Sequence, residues 1–363
     1  MKKKIKLFDP IIDNKEFLAL EKTLKSKLWA NGAGGKQVVE FEKKFLKKIN
    51  SDYNIAVNSG TAALYLSLSM ENIQNKEVIL PSMSFVSTAH AVTANNAKPV
   101  FVDINLDTLC IDSEEIEESV TNSTRIILPV HFAGMPSDLK RIQKICHKSN
   151  LTLIEDAAHA AGATFGGKKI GGHGKFVCFS FHPVKNLAMP TGGLISINDK
   201  NHQKIGEKLK EKRWCGITNR VKTAYDVKEF GWNYYMNEFS AAMGIIQLEK
   251  LERLNRIRQN NAKKYFDELD CSRKLKFDKC CVYHFYWILV KNRNKLRKIL
   301  LNEGIETGTH YKPIHKFSMY NKKISLPNTE YAAKSIITLP THPNLTENNL
   351  DKIIKIINKH EKS

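Results

Sequence analysis

Lys185 stands apart from the other lysines of this 363-residue chain because of what precedes it. Residues 175–193, KFVCFSFHPVKNLAMPTGG, place Phe176, Val177, Phe179 and Phe181 in one apolar run, followed by a turn closed by Pro190, Gly192 and Gly193. Such a run reads as a buried strand delivering Ser180, His182 and Lys185 to its end. An amine held there loses solvation, its pKa falls, and the neutral form becomes a nucleophile able to form a Schiff base. Asp156 follows a second apolar run, residues 151–154, with no arginine nearby in sequence. A buried carboxylate needs a cation or hydrogen-bond donors, so its partner must come from another segment; the plainer alternative is a helix-capping aspartate. Asn58, Ser59, Gly60 and Thr61 lie between a strand and a helix, where backbone N–H groups form an anion site or an ordinary N-cap.

The elements that must position these residues follow from hydrophobic spacing. Residues 16–29 read as an amphipathic helix with Phe17, Leu18, Leu20, Leu24 and Leu28 at helical spacing. A glycine-rich break, NGAGG at 31–35, precedes a second helix over 38–49 with Phe41 and Phe45 on one face. Apolar runs at 55–58, 77–80, 99–103, 125–130 and 151–155 then alternate with helices starting at 61 and 86 and spanning 113–120 and 139–149. That alternation demands crossover connections, hence an α/β fold with a mostly parallel sheet covered on both faces and ligands at the carboxyl ends of its strands. A strand over 193–197 and a charged helix over 203–214 come next. A long helix over 238–266 passes from small residues (Ala241, Ala242, Gly244) to charged ones, which places a domain boundary there: a large cofactor-binding domain over 1–245 and a smaller C-terminal α/β domain over 246–363. The latter carries strands over 286–290 and 335–339 and helices over 295–303 and 348–359.

Composition narrows the class. At 42% hydrophobic and 26% charged the chain is an ordinary globular one. It has no 18-residue apolar run, and its basic start, MKKKIKLFDP, lacks the apolar core of a secretion signal, so a cytoplasmic location without membrane attachment is expected. The seven cysteines are scattered without C-x-x-C spacing, which favours reduced packing residues over a metal site or disulfides. A net charge of +20 suggests a nucleic-acid binder, but the lysines are dispersed and no recognition motif accompanies them. A field that attracts an anionic substrate remains, as does simple lysine bias.

The segments NSGTAAL (58–64), PSMSFVST (81–88), PVHFAG (129–134), IEDAAHA (154–160), SFHPVKN (180–186), NYYMNEFSAAMG (233–244), GIETGTHYKPIH (304–315) and SLPNTE (325–330) occur in this order. Together they resemble the DegT/DnrJ/StrS family of sugar aminotransferases over nearly the whole chain. The resemblance implies a fold type I enzyme with pyridoxal 5′-phosphate as cofactor and Lys185 as its catalytic Schiff-base lysine. It further implies phosphate contacts from Gly60, Thr61, the amide of Ala62 and the Ser180 hydroxyl. Asp156 would keep the pyridine nitrogen protonated, His159 bond the phenolic oxygen, and Phe85 stack on the ring. His182, His310, Tyr311 and His315 would border the sugar pocket. Asn233 would reach the phosphate in the neighbouring subunit, which makes the protein a homodimer with shared active sites. Two departures stand out: AMPTGG at 188–193 where many members have Thr-Gly-Glu-Gly-Gly, and Tyr235 where arginine is common.

The expected reaction moves an amino group from L-glutamate, leaving 2-oxoglutarate, to the keto carbon, C4, of a nucleotide-linked keto-deoxy sugar. A 3-keto sugar is the alternative acceptor. Related dehydratases carry histidine in place of the lysine, so Lys185 argues against that branch; a nucleic-acid-binding or regulatory protein on the same scaffold rests only on the charge.

Overall fold

The computed structural model describes residues 4–321 and 323–361; the start of the basic N-terminus, residues 1–3, lies outside them. The chain opens with α1 (Asn14–Ser26) and α2 (Lys36–Ile49), then enters the alternation β1 (Tyr53–Val57), α3 (Gly60–Leu68), β2 (Glu77–Pro81), α4 (Ser87–Ala94), β3 (Lys98–Val102), α5 (Ser113–Ser119), β4 (Thr124–Ile127), α6 (Leu139–Ser149) and β5 (Thr152–Asp156). A short hairpin of β6 (Thr164–Phe165) and β7 (Lys168–Lys169) leads to β8 (Phe176–Ser180), β9 (Gly193–Ile197) and α7 (His202–Lys212). A hairpin of β10 (Ile217–Val221) and β11 (Ala224–Val227) precedes the long α8 (Glu238–Glu268). The remainder is β12 (Arg273–Lys274), β13 (Tyr286–Leu289), α9 (Arg293–Asn302), α10 (Pro327–Ser335), β14 (Ile336–Leu339) and α11 (Glu347–Glu361).

The central sheet has the order β1-β9-β8-β5-β4-β2-β3. Strand β9 runs antiparallel to both neighbours and the other strands run one way, so the sheet is mostly parallel. Strand β8 shows why such strands read as continuous apolar runs: Val177 and Phe179 pack into the cluster with Phe41 and Phe45 of α2, while Phe176 and Cys178 pack into the opposite cluster with α3 and α4. Phe45 meets Phe179 at 5.1 Å and Phe41 meets Phe181 at 5.5 Å, edge to face. Because β1, β2, β5 and β8 point the same way, the segments that follow them gather at one edge.

A further cluster is built by β13, β14, α9, α11 and the second half of α8, around Tyr286 and Trp287. The start of the chain joins it: the Ile5 N–H donates to Gly304 O at 2.8 Å and Glu306 N–H donates back to Ile5 O at 2.9 Å. Helix α8 passes through residue 245 unbroken. Among the described residues no helix is long and apolar enough to cross a membrane.

Helix α1 is amphipathic, but its apolar stripe does not face its own chain. Phe17, Leu18 and Leu24 are more than half exposed, while Glu16 and Thr23 are buried. The cause is electrostatic: Glu16 closes a capping box with Asp13 and pairs with Lys250 of α8 at 2.7 Å, which turns the acidic edge inward. The β10–β11 hairpin, which no spacing rule singles out, likewise shows Val221 and Val227 to solvent.

Candidate active site

Lys185 sits on a tight turn beyond β8. Its N–H donates to His182 O at 2.8 Å, and Phe181 N–H donates to Gly192 O at 2.9 Å, bringing the chain straight back into β9. Gly193 must be glycine, since a Cβ there would lie 2.3 Å from the Ser59 carbonyl oxygen. Asn186 anchors the turn, its amide donating to Asn255 Oδ1 and to the Val282 carbonyl, both at 3.0 Å. Burial lowers the Lys185 pKa to about 8, against the opposing pull of the Asp156 charge. Near pH 7 the ammonium therefore still predominates, but the neutral fraction, roughly a tenth, is far larger than for an ordinary lysine.

Asp156 ends β5, beside Cys178 of β8. Its Oδ2 accepts from the Thr88 hydroxyl at 2.9 Å and its Oδ1 from the Ala158 N–H at 3.1 Å. The carboxyl is 4% exposed, and burial pushes its pKa up. These donors are the partners that a buried aspartate requires, but neither is a cation. Thr88 lies within the PSMSFVST segment, yet sequence reasoning passed over it, since a threonine in the first turn of a helix carries no signal of what its hydroxyl faces.

Helix α3 begins against Ser180 at the end of β8. Ser59 is its N-cap, and its Oγ accepts from the Ala62 N–H at 3.1 Å. The Ala62 N–H, expected to contact a phosphate, donates to that cap in this structure. The N–H groups of Gly60 and Thr61 occupy the first two helical positions, which have no intrahelical acceptor, and both residues line the cavity with Ser180. Gly60 permits that approach, for a Cβ would lie 2.7 Å from Ser180 Cβ.

The cavity these groups enclose has a volume of about 330 Å³. Phe85, His159, His182, His310 and Tyr311 complete its lining, so most of the expected residues converge. Phe85 presents a 57% exposed ring, 6.1 Å from Tyr311. His159 Nε2 lies 3.2 Å from the Tyr311 hydroxyl while its Nδ1 is buried without a partner. His310 Nδ1 meets Thr338 Oγ1 at 2.8 Å, and burial lowers its pKa to about 4. His182 stands exposed at the mouth.

Two expected residues lie elsewhere. His315 does not border the cavity: its ring is wholly buried, 2.7 Å from Ser82 Oγ and 3.4 Å from Glu330 Oε1, and it braces the chain behind the wall. Asn233 is exposed and outside the cavity of its own chain, where its carbonyl accepts from Asn58 Nδ2 at 3.3 Å. Tyr235 bridges to Val57 at the end of β1. Phe8 and His284 line the cavity and were not foreseen, because only the packing of the C-terminal cluster brings them there. No group of metal-ligating side chains exists among the described residues.

This set suits pyridoxal phosphate. A lysine of lowered pKa can hold an aldehyde, a buried carboxylate whose hydrogen-bond partners are all neutral can hold a ring N–H, Phe85 offers an open aromatic face, and the α3 N-terminus with Ser180 offers donors to a phosphate.

Comparison with known proteins agrees. The model of the DegT/DnrJ/EryC1/StrS aminotransferase family matches residues 10–358. The uncharacterized protein MJ1066 of Methanocaldococcus jannaschii is 35% identical over 380 residues, covering 98% of this chain and 96% of that one. Among solved structures, PseC of Helicobacter pylori, an aminotransferase in pseudoaminic acid biosynthesis, superposes with a TM-score of 0.92 at 28% identity, covering 99% and 100% of the two chains. A putative sugar aminotransferase of Streptococcus pneumoniae, Spr1654, superposes in its PLP form with a TM-score of 0.93 at 26% identity, covering 98% of each chain. The chain belongs to the DegT/DnrJ/EryC1/StrS family of aminotransferases, enzymes that work through pyridoxal 5′-phosphate.

Proposed function

We propose that the enzyme transfers the amino group of L-glutamate to C4 of a nucleotide-linked keto-deoxy sugar, a 4-keto-6-deoxy hexose or 4-keto pentose, in the cytoplasm, supplying amino sugars for surface glycans or secondary metabolites. The observation that carries this reading is the placement of Lys185, with its pKa near 8, in one cavity with the buried Asp156 and the α3 N-terminus. Pyridoxal phosphate supplies the electron sink that makes an amine's α-proton labile. Lys185 Nζ takes that proton and returns it, a role that needs a pKa near the working pH. Asp156 holds the proton on the ring nitrogen, and Gly60, Thr61 and Ser180 orient the phosphate. The neutral histidines and aromatic rings around Lys185 offer a sugar both hydrogen bonds and apolar faces. The net charge of +20 favours an anionic nucleotide-linked acceptor over a free sugar.

Two copies complete the sites in this reading, with Asn233 of each chain serving the other's phosphate. The exposed apolar side chains of α1 and of the β10–β11 hairpin support an interface of that kind. The deciding experiment incubates the purified protein with L-glutamate and a panel of nucleotide-linked 4-keto and 3-keto sugars, following amine formation by mass. Amination of 3-keto sugars alone would overturn the C4 assignment and leave the aminotransferase intact.

A further inference from the structure

Phe8, His284 and His159 form a column of rings along the inner wall of the cavity, drawn from distant parts of the chain. Phe8 stacks on His284 at 5.0 Å with an interplanar angle of 17°, and His284 lies against His159 at 4.6 Å and 32°. Hydrogen bonds do little to orient these imidazoles. Among the described residues His159 Nδ1 and His284 Nδ1 are both buried without partners, and the one side-chain hydrogen bond of His159 is its 3.2 Å contact with Tyr311. A ring tethered by a single bond can swing about that bond unless its faces are packed, because the second torsion of histidine is soft. The orientation of His159 thus depends on the rings packed around it, Phe132 at 6.3 Å, Tyr311 at 6.2 Å, Phe285 at 5.4 Å and, nearest, His284 at 4.6 Å.

Phe8 is held in place by a strap formed from the start of the chain. Ile5 pairs with residues 304 and 306, the Lys6 carbonyl accepts from His342 Nε2 at 2.9 Å, and Asp9 accepts from Asn344 at 2.8 Å and from Lys6 at 3.0 Å. These ties fasten the strap to the C-terminal cluster, and His284 belongs to that same part of the molecule. We propose that this N-terminal strap, through Phe8 and His284, is the positioning element that orients His159 at the cofactor. The proposal rests on His159 being a cofactor contact, and the measurement on the apo protein separates its failure from the failure of that reading.

The titratable groups that face His159 are Lys185, His131, His284, His310 and Tyr311, and burial holds its pKa well below the usual histidine range. The test uses full-length apo protein carrying ¹³C-labelled histidine, with the His159 ring signal assigned through His159→Gln. In Phe8→Ala and His284→Ala the opened stack admits water, so the His159 midpoint should rise toward its ordinary value. In the loaded enzymes kcat should fall on the order of tenfold or more, as for other displaced catalytic groups. His284→Phe, which keeps a ring without nitrogen, should restore both readouts. An unchanged His159 titration in alanine variants that keep native circular dichroism removes the positioning role. So does a His284→Phe variant as impaired as His284→Ala, which shows that a ring nitrogen rather than the stack is required. Phe8 is only partly buried near the chain end, so its variant stays informative if His284→Ala does not fold.

Discussion

Asn186, the neighbour of Lys185, is hydrogen-bonded through its side chain to Asn255 at 3.0 Å, so the Lys185 turn is fastened to helix α8 rather than only to the sheet. Asn186→Ala should leave the Asn255 oxygen and the Val282 carbonyl unpaired in a buried site, at a cost of about 1–3 kcal/mol. Both a lower Tm and weaker cofactor binding in an absorbance titration are expected. A variant that loses stability but binds cofactor as wild type would show that α8 does not hold the turn in its working shape.

Lys185→Ala should lose visible absorbance and turnover while keeping the fold. The apo state offers a second check. Burial depresses the Lys185 pKa from 10.5 to about 8, so between those values the unfolded chain binds more protons and stability rises with pH. Below pH 8 the buried ammonium costs roughly 3 kcal/mol, at about 1.4 kcal/mol per unit. Apo Lys185→Met should therefore melt higher than wild type at pH 7, and the gap should narrow toward pH 10. A gap independent of pH would contradict the desolvated amine.

Asp156→Asn should bind cofactor but lose most activity, since an amide cannot hold a pyridinium proton. The same substitution removes the charge that raises the Lys185 pKa. In the apo protein, the pH at which Lys185 reacts with a small aldehyde, trapped by borohydride and read by mass, should fall below its wild-type midpoint. A near-native rate of transamination would reduce Asp156 to a structural residue.

Shared sites can be tested with two inactive proteins. Lys185→Ala mixed with Asn233→Asp should recover activity on subunit exchange, because each hybrid dimer carries one site that is wild type at both positions. At equal mixing this amounts to about a quarter of the wild-type sites in an isologous dimer. No recovery despite demonstrated exchange, or an active monomer by light scattering, would defeat the arrangement.

Much of the fold and of the site's centre was legible without coordinates. Residues 176–181 are apolar on both faces because β8 is covered on both sides, and α6 and β9 fall on the residues their spacing marks. The lysine turn, the aspartate at a strand end and the Ser-Gly-Thr helix start are local features: each depends on a few consecutive residues, and the parallel sheet sends all of them to one edge.

What tertiary structure alone decided are partners and directions. Sequence spacing shows that α1 has an apolar stripe but not which way it faces; Lys250, far along the chain, turned Glu16 inward. THYKPIH marks His310 and His315 alike, yet the Ser82 hydroxyl holds the second behind the wall. The sequence marks Ser59 as a possible cap, and only the structure shows that its hydroxyl takes the Ala62 N–H. Phe8 and His284 lie in no motif, and the motif that holds Thr88 does not say what its hydroxyl meets, because these roles come from contacts between residues dozens to hundreds of positions apart, and periodicity reports only on neighbours along one element.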